Sequence, residues 1–185
     1  MLNEIGLARL VKYFIFGLWD VVFRLLPWSP LRVLWMNLFG AKVAWSAVMD
    51  RVNFMNLDRR GLSGLSIGKK SFVGVAAILD LAGELVIEQQ ATVSPGAAIL
   101  THFSVGFSDH PLVKTYPKKV LKTVIGKGAF VGVHATVLAG VAVGENSMVA
   151  AGAAVVDNVE QNTMVAGVPA VIKKTYKLTN LQTNK

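Results

Sequence analysis

A chain of 185 residues with 19 Lys and Arg against 11 Asp and Glu carries a formal net charge of +8 and no cysteine. The missing cysteines exclude a disulfide framework, a thiolate nucleophile and any Cys-ligated metal. The positive balance suits an anionic partner, either phosphate groups or an acidic membrane face. Nucleic acid is disfavoured, because the basic residues are not interleaved with aromatics on one reading element.

Residues 4–26 are predicted to form an amphipathic helix. Arg9, Lys12, Asp20 and Arg24 cluster on one side, while Leu10, Phe14, Leu18, Val22 and Leu25 cover much of the rest. No window reaches the roughly 18 uncharged apolar residues of a membrane span, and no small-residue cleavage site of a signal peptide follows the apolar run. Pro27 and Pro30 break the pattern; Ser29 is then expected to cap a second short helix that ends at Gly40. Two readings stand for this segment: packing on the rest of the molecule or on a neighbouring subunit, or an in-plane membrane anchor using Trp19, Trp28 and Trp35.

Residues 41–66 show no sustained period, although Val52, Phe54 and Met55 suit a lead-in strand. From Ile67 an aliphatic residue recurs every six positions, through Val73 and Leu79. The phase slips near Gly83, resumes at Ile87, Val93 and Ile99, and is strictest from Ile125 to Val155. A helix repeats every 3.6 residues and a strand every 2, so strict sixes fit neither alone. They fit a parallel β-helix, in which each unit is a short strand plus a corner. With about 18 residues per triangular turn, the expectation is about four coils. The chain divides into a helical segment 1–50, a lead-in 51–66, a β-helix 67–164 with an extended loop at 103–123, and a closing turn with a polar tail at 165–185. The tail from Ile172 is expected to be a short helix or partly disordered. Loops that leave a solenoid carry function more often than the scaffold does.

Three histidines occur. His102 ends a coil strand just before the loop, where a rigid backbone could hold its imidazole as a general base; stabilising the loop base is the structural alternative. His110 lies inside the loop and is the reserve candidate, and His134 is expected to face solvent on the scaffold. Asp80 lies about one turn before His102 and either orients it or serves as a corner aspartate. A metal site is disfavoured, because the histidines lack a close pair. Lys114, Lys118, Lys119 and Lys122 in the loop and Lys173 and Lys174 in the tail offer charge for phosphates.

The stretch from Thr123 to Val156, closed by Ala166-Gly167-Val168-Pro169-Ala170, resembles the hexapeptide-repeat acyltransferases, in particular the maltose, galactoside and exopolysaccharide sugar O-acetyltransferases. The resemblance covers about residues 67–174. It implies an all-β solenoid, a left-handed parallel β-helix, assembled as a homotrimer with acetyl-CoA in a groove between adjacent prisms. It also implies direct transfer, with His102 as base, His110 in reserve and backbone N–H groups at the oxyanion. By the same matching, Phe130, Val133, Ala151, Val156 and Lys174 line the coenzyme groove. Phe130 stands where a tryptophan is common, and Val133 and Val156 where relatives are polar, so contacts there would be apolar or through the backbone.

The expectation is therefore a CoA-dependent O-acetyltransferase, without metal, acting on a sugar hydroxyl in surface polysaccharide or glycolipid synthesis. It would be cytoplasmic, at the inner membrane face, with residues 1–40 contacting the lipid. The alternatives are an amino-sugar N-acyltransferase and a non-catalytic interaction scaffold.

Overall fold

The computed structural model describes residues 7–177, so the first residues of the helix expected at 4–26 and the end of the tail lie outside the described residues. Helix α1 (Leu7–Leu25) runs to the break at Pro27, and α2 (Ser29–Leu38) follows, its end marked by Gly40 at φ +96°. Ser29 does not cap α2, as the sequence suggested. It is the first helical residue, and its hydroxyl accepts the Met49 N–H at 2.8 Å, which ties the helix to the prism instead.

The coils then stack. The first holds β1 (Lys42–Val43), β2 (Val48–Met49) and β3 (Asn53–Met55), and is followed by a one-turn helix α3 (Leu57–Arg60). The second holds β4 (Leu65–Ile67), β5 (Phe72–Val73) and β6 (Ile78–Asp80). The third holds β7 (Leu85–Ile87), β8 (Thr92–Val93) and β9 (Ala98–Ile99). The loop leaves through β10 (His102–Phe103) and returns through β11 (Lys119–Val120), an antiparallel pair at its base. The fourth coil is β12 (Thr123–Ile125), β13 (Phe130–Val131) and β14 (Thr136–Val137); the fifth is β15 (Ala142–Val143), β16 (Met148–Val149) and β17 (Ala154–Val155). Two strands close the prism, β18 (Thr163–Ala166) and β19 (Val171–Thr175).

Among the described residues these strands make three faces. Two are five-stranded parallel sheets, β1-β4-β7-β12-β15 and β17-β14-β9-β6-β3, and the third has seven strands, β19-β18-β16-β13-β8-β5-β2. The fold is the expected β-helix with helices at its amino end, but the prism starts at Lys42, one coil ahead of the first sequence repeat. The tail is also corrected: Val171–Thr175 is an exposed strand antiparallel to β18, because the turn at Val168-Pro169 folds it back onto the unpaired edge of the last sheet.

The six-residue period has a direct physical cause. Val73, Val93, Val131 and Val149 are fully buried in one inward column, and Leu79, Ile99, Val137 and Val155 form another. Small residues such as Ala129, Ala135 and Ala153 fill the bends. At one corner the side chain must be absent: a Cβ on Gly126 would lie 2.7 Å from the Val143 carbonyl oxygen of the next coil.

Helix α1 meets the prism through an aromatic cluster rather than through the aliphatic side read from the sequence. Trp19 and Phe23 are buried and stack at 5.4 Å, and both meet Phe54 edge-on. Phe14, Leu18 and Leu25 remain exposed. No helix among the described residues is long and apolar enough to cross a membrane.

Candidate active site

Where β3, β6 and β9 end, three successive coils place Asn56, Asp80 and Thr101-His102 side by side. Asp80 is completely buried. Its Oδ2 accepts the Thr101 N–H at 2.8 Å, the His102 N–H at 2.9 Å and the His102 Nδ1–H at 2.6 Å. Its Oδ1 accepts the Asn56 amide at 2.7 Å and the Ala82 N–H at 3.1 Å. Burial alone would push this carboxyl up. The hydrogen bond from His102, with those from Thr101, Asn56 and Ala82, outweighs burial and holds it below the usual carboxylate range.

An ionised carboxylate only accepts, so the ring nitrogen facing it must be the one that carries the proton. Nδ1 is thereby spent on Asp80, and in the neutral ring Nε2 is the nitrogen with the lone pair. The imidazole keeps 18% of its side-chain surface, enough for a substrate to reach it. Oriented imidazole with a fixed tautomer is the arrangement a general base needs.

The surroundings stiffen this pair. The buried Thr101 hydroxyl donates to the Asp80 carbonyl and accepts the Gly83 N–H, both at 2.9 Å. A Cβ on Gly83 would come within 2.7 Å of the Leu121 carbonyl oxygen, so the loop base can close only over glycine here. The Leu121 N–H in turn donates to the Thr101 carbonyl at 2.8 Å. Asn56, at φ +59°, has its side-chain oxygen contacted by the Arg59 Nε–H at 3.3 Å.

Two clefts flank the network. One, of about 220 Å³, is lined by Tyr13, Gly17, Asp20, Asn56 and Asp58, between α1 and the start of α3. The other, of about 240 Å³, is lined by Phe103, Thr115, Tyr116, Pro117 and Lys119, with the Phe103 and Tyr116 rings edge-on at 6.3 Å.

The other sequence candidates are dispersed. His110 is exposed in the loop, where its Nδ1 accepts the Leu112 N–H at 3.1 Å, and it shares no hydrogen bond with Asp80 or His102. His134 occupies a corner at φ +55° with its ring laid over Gly96, a packing role. Phe130 and Met148 are exposed neighbours on the seven-stranded face, which continues through Met164 to Lys174 on the closing strand. Lys173 lies beside Lys174 on that exposed strand. Val133 and Ala151 sit at consecutive coils of one corner, where the Gly152 N–H donates to the Val133 carbonyl at 2.9 Å. Val156 follows β17, on the five-stranded face whose β9, two coils away, leads to His102, and not on the face of Phe130 and Lys174. One copy of the chain therefore does not gather these positions and His102 into a single pocket. Lys122 is held by Glu84 at 2.9 Å, and Lys114 and Lys119 are exposed in the loop.

Asn56, Arg59 and Thr101 were missed from the sequence. Asn56 lies in the helical excursion that interrupts the repeat, and the hydroxyl of Thr101 reads there as an ordinary coil position. Among the described residues no group of three His, Cys, Asp or Glu side chains is placed to hold a metal.

Residues 122–156 match the family model described as the hexapeptide repeat of succinyl-transferase. No curated protein matches the chain by sequence. Among solved structures, a hexapeptide-repeat-containing acetyltransferase from Vibrio cholerae superposes with a TM-score of 0.77 at 19% identity, covering 95% of this chain and 99% of its own. A galactoside acetyltransferase in complex with coenzyme A gives 0.78 at 20% identity, covering 94% and 85%. A maltose O-acetyltransferase from Clostridium difficile 630 gives 0.76 at 16% identity, covering 93% and 90%. At these identities the likeness is one of fold, and at that level the resemblance read from the repeats is borne out.

Proposed function

Starting from the hexapeptide-repeat prism, we propose that the chain is an O-acetyltransferase that moves an acetyl group from acetyl-CoA to a sugar hydroxyl, with His102 as general base. The observation that carries this reading is the 2.6 Å contact between His102 Nδ1 and the buried Asp80 Oδ2. Solved structures of this fold include a galactoside acetyltransferase with coenzyme A bound and a Vibrio cholerae acetyltransferase with acetyl-CoA bound, which supports the choice of donor.

His102 Nε2 takes the proton of the acceptor hydroxyl as its oxygen attacks the thioester carbonyl. The tetrahedral intermediate collapses by breaking the C–S bond, and the imidazolium returns the proton to the departing sulfur, giving the acetyl ester and CoA thiol. Asp80 holds the ring and stabilises the imidazolium in between. The acceptor lies between the clefts beside Asn56 and Phe103, where carboxylates and an amide meet its hydroxyls and aromatic edges meet its C–H face.

The donor's chemistry fits the column of exposed Phe130 and Met148 and half-buried Met164, which ends in the cationic Lys174. An apolar strip suits the pantetheine arm, and an ammonium suits phosphate. Because those positions and His102 occupy different faces of one prism, the reading requires neighbouring copies to complete each site, as in a homotrimer. Phe130, Val133, Ala151, Val156, Lys173 and Lys174 are the proposed coenzyme contacts, and the loop's His110 is the reserve base. An acceptor carried on a membrane lipid, met at the inner membrane face by residues 1–40, accounts for the apolar amino-terminal segment.

Mass spectrometry of the products formed from acetyl-CoA with matched sugars and amino sugars tests the reaction. Acetyl esters support the proposal, acetyl amides would make the chain an N-acyltransferase, and no product together with no coenzyme binding would leave it a scaffold.

A further inference from the structure

On α1 the residues at helical spacing Val11, Phe14, Leu18, Val22 and Leu25 form one stripe, and all five are exposed, Phe14 at 70% and Leu25 at 74%. The helix already has its packing face elsewhere, in Trp19 and Phe23. The stripe continues past the elbow at Pro27 through Trp28, 69% exposed, to Leu31, Leu34 and Leu38 on α2. A water-facing helix gains nothing from such a row, and an apolar surface of this extent marks a contact with something else.

The charges around it select the occupant. Residues 21–49 contain no Asp or Glu; of the cations among them Arg24 is held by Asp20 at 2.6 Å and Arg32 is buried, while Lys42 is exposed. At the elbow, a cavity of about 290 Å³ is lined by Pro27, Arg32, Asp50, Arg51 and Val75. Arg32 is 95% buried by its 5% exposure, with two nitrogens on the Met49 and Pro27 carbonyl oxygens and an Nε–H that has no acceptor. Burial disfavours its charge, Arg51 disfavours it further, and Asp50 opposes both. Two neighbouring guanidiniums offset by one carboxylate leave a net cationic recess, which an anionic group at its mouth would relieve.

We propose that the α1–α2 elbow lies in the plane of an anionic lipid bilayer, with the stripe in the acyl boundary and lipid phosphates at the Arg51 recess. Apolar helix faces with basic rims and tryptophan bind membranes in this way. A second copy of the chain is the poorer occupant, because a two-fold contact through this surface would bring the same basic rim against itself. The surface stands on the helices alone. Its use to meet a lipid-linked acceptor rests on the transferase reading.

The test is co-sedimentation of the full chain with vesicles of phosphatidylcholine alone and of phosphatidylcholine mixed with phosphatidylglycerol. Leu18→Glu/Leu25→Glu and Arg51→Glu are run beside the wild type, with circular dichroism and sedimentation velocity on each. The wild type is expected to pellet with the anionic vesicles, less so at high salt. The double variant is expected to bind at least about tenfold more weakly while keeping its fold and mass, and Arg51→Glu to weaken the response to phosphatidylglycerol. Wild type that stays in the supernatant with both vesicles, or a double variant that binds as well as wild type, overturns the proposal. A double variant that loses oligomeric mass instead assigns the stripe to a subunit interface and also overturns it. Acetyl transfer to a soluble sugar, read in parallel, separates this outcome from failure of the transferase reading: the variants are expected to retain it.

Discussion

The imidazole Nδ1 of His102 lies 2.6 Å from Oδ2 of Asp80, a carboxylate with no solvent exposure that is also held by three backbone N–H groups and the Asn56 amide. The link fixes one tautomer of the ring and crosses from one coil to the next, so orientation of the imidazole is built into the stacking of the prism.

Asp80→Asn keeps the shape and removes the charge. An amide NH₂ then faces backbone N–H donors or the His102 ring, leaving at least one buried donor without an acceptor. The fold is expected to lose about 1–3 kcal/mol. If Asp80 orients the base, kcat falls by about 10²-fold or more while KM for acetyl-CoA is little changed. Denaturant unfolding and steady-state kinetics on the same preparations check both, and a KM effect without a kcat effect would reduce Asp80 to a structural role.

The pH dependence of stability follows from the same carboxylate. Its folded pKa is depressed, so its contribution is fully present above the unfolded value of about 3.9 and is lost as pH falls through the lower folded value. Wild type should therefore lose more unfolding free energy than Asp80→Asn on acidification below about pH 4. Urea midpoints from pH 2 to 6 measure this difference, and parallel curves for the two proteins would contradict it.

Gly96 and His134 give a separate structural check. A Cβ on Gly96 would stand 2.4 Å from the His134 ring, at a φ of +67°. Gly96→Ala should cost more than the roughly 1 kcal/mol of the left-handed conformation alone, and His134→Ala should remove the excess. A double-mutant cycle read by thermal unfolding shows this as a coupling energy, and His134→Ala by itself should leave acetyl transfer unchanged.

The donor assignment is tested by Phe130→Ala and Lys174→Glu. Each is exposed, so the fold should survive. KM for acetyl-CoA is expected to rise roughly 5- to 50-fold with kcat changed far less, the pattern of lost uniform binding. Unchanged KM in both variants would remove the seven-stranded face from the coenzyme site.

The central coils were legible because six-residue spacing leaves inward valines no other explanation. Of the first coil only the third strand was legible, as the lead-in strand expected at Val52, Phe54 and Met55, although Val43 and Met49 are inward residues too. The chain then steps out of phase to Phe54 and leaves the prism through α3 before returning at Leu65, so the period cannot be followed across the gap. That same excursion hides Asn56. The strand Val171–Thr175 was missed because all its residues are exposed; it is made by backbone pairing with β18, and no side-chain pattern records it. Proximity of Asp80 to His102 followed from the repeat length, but the burial of Asp80 and its five donors depend on how three coil ends meet.

The most direct measurement of the account is thiol release from acetyl-CoA in the presence of sugar acceptors, for wild type, His102→Ala and His110→Ala. The account predicts acceptor-dependent release by wild type and His110→Ala, and a loss of about 10²- to 10⁴-fold in His102→Ala. Release that survives in His102→Ala, or collapses only in His110→Ala, would contradict His102 as the base.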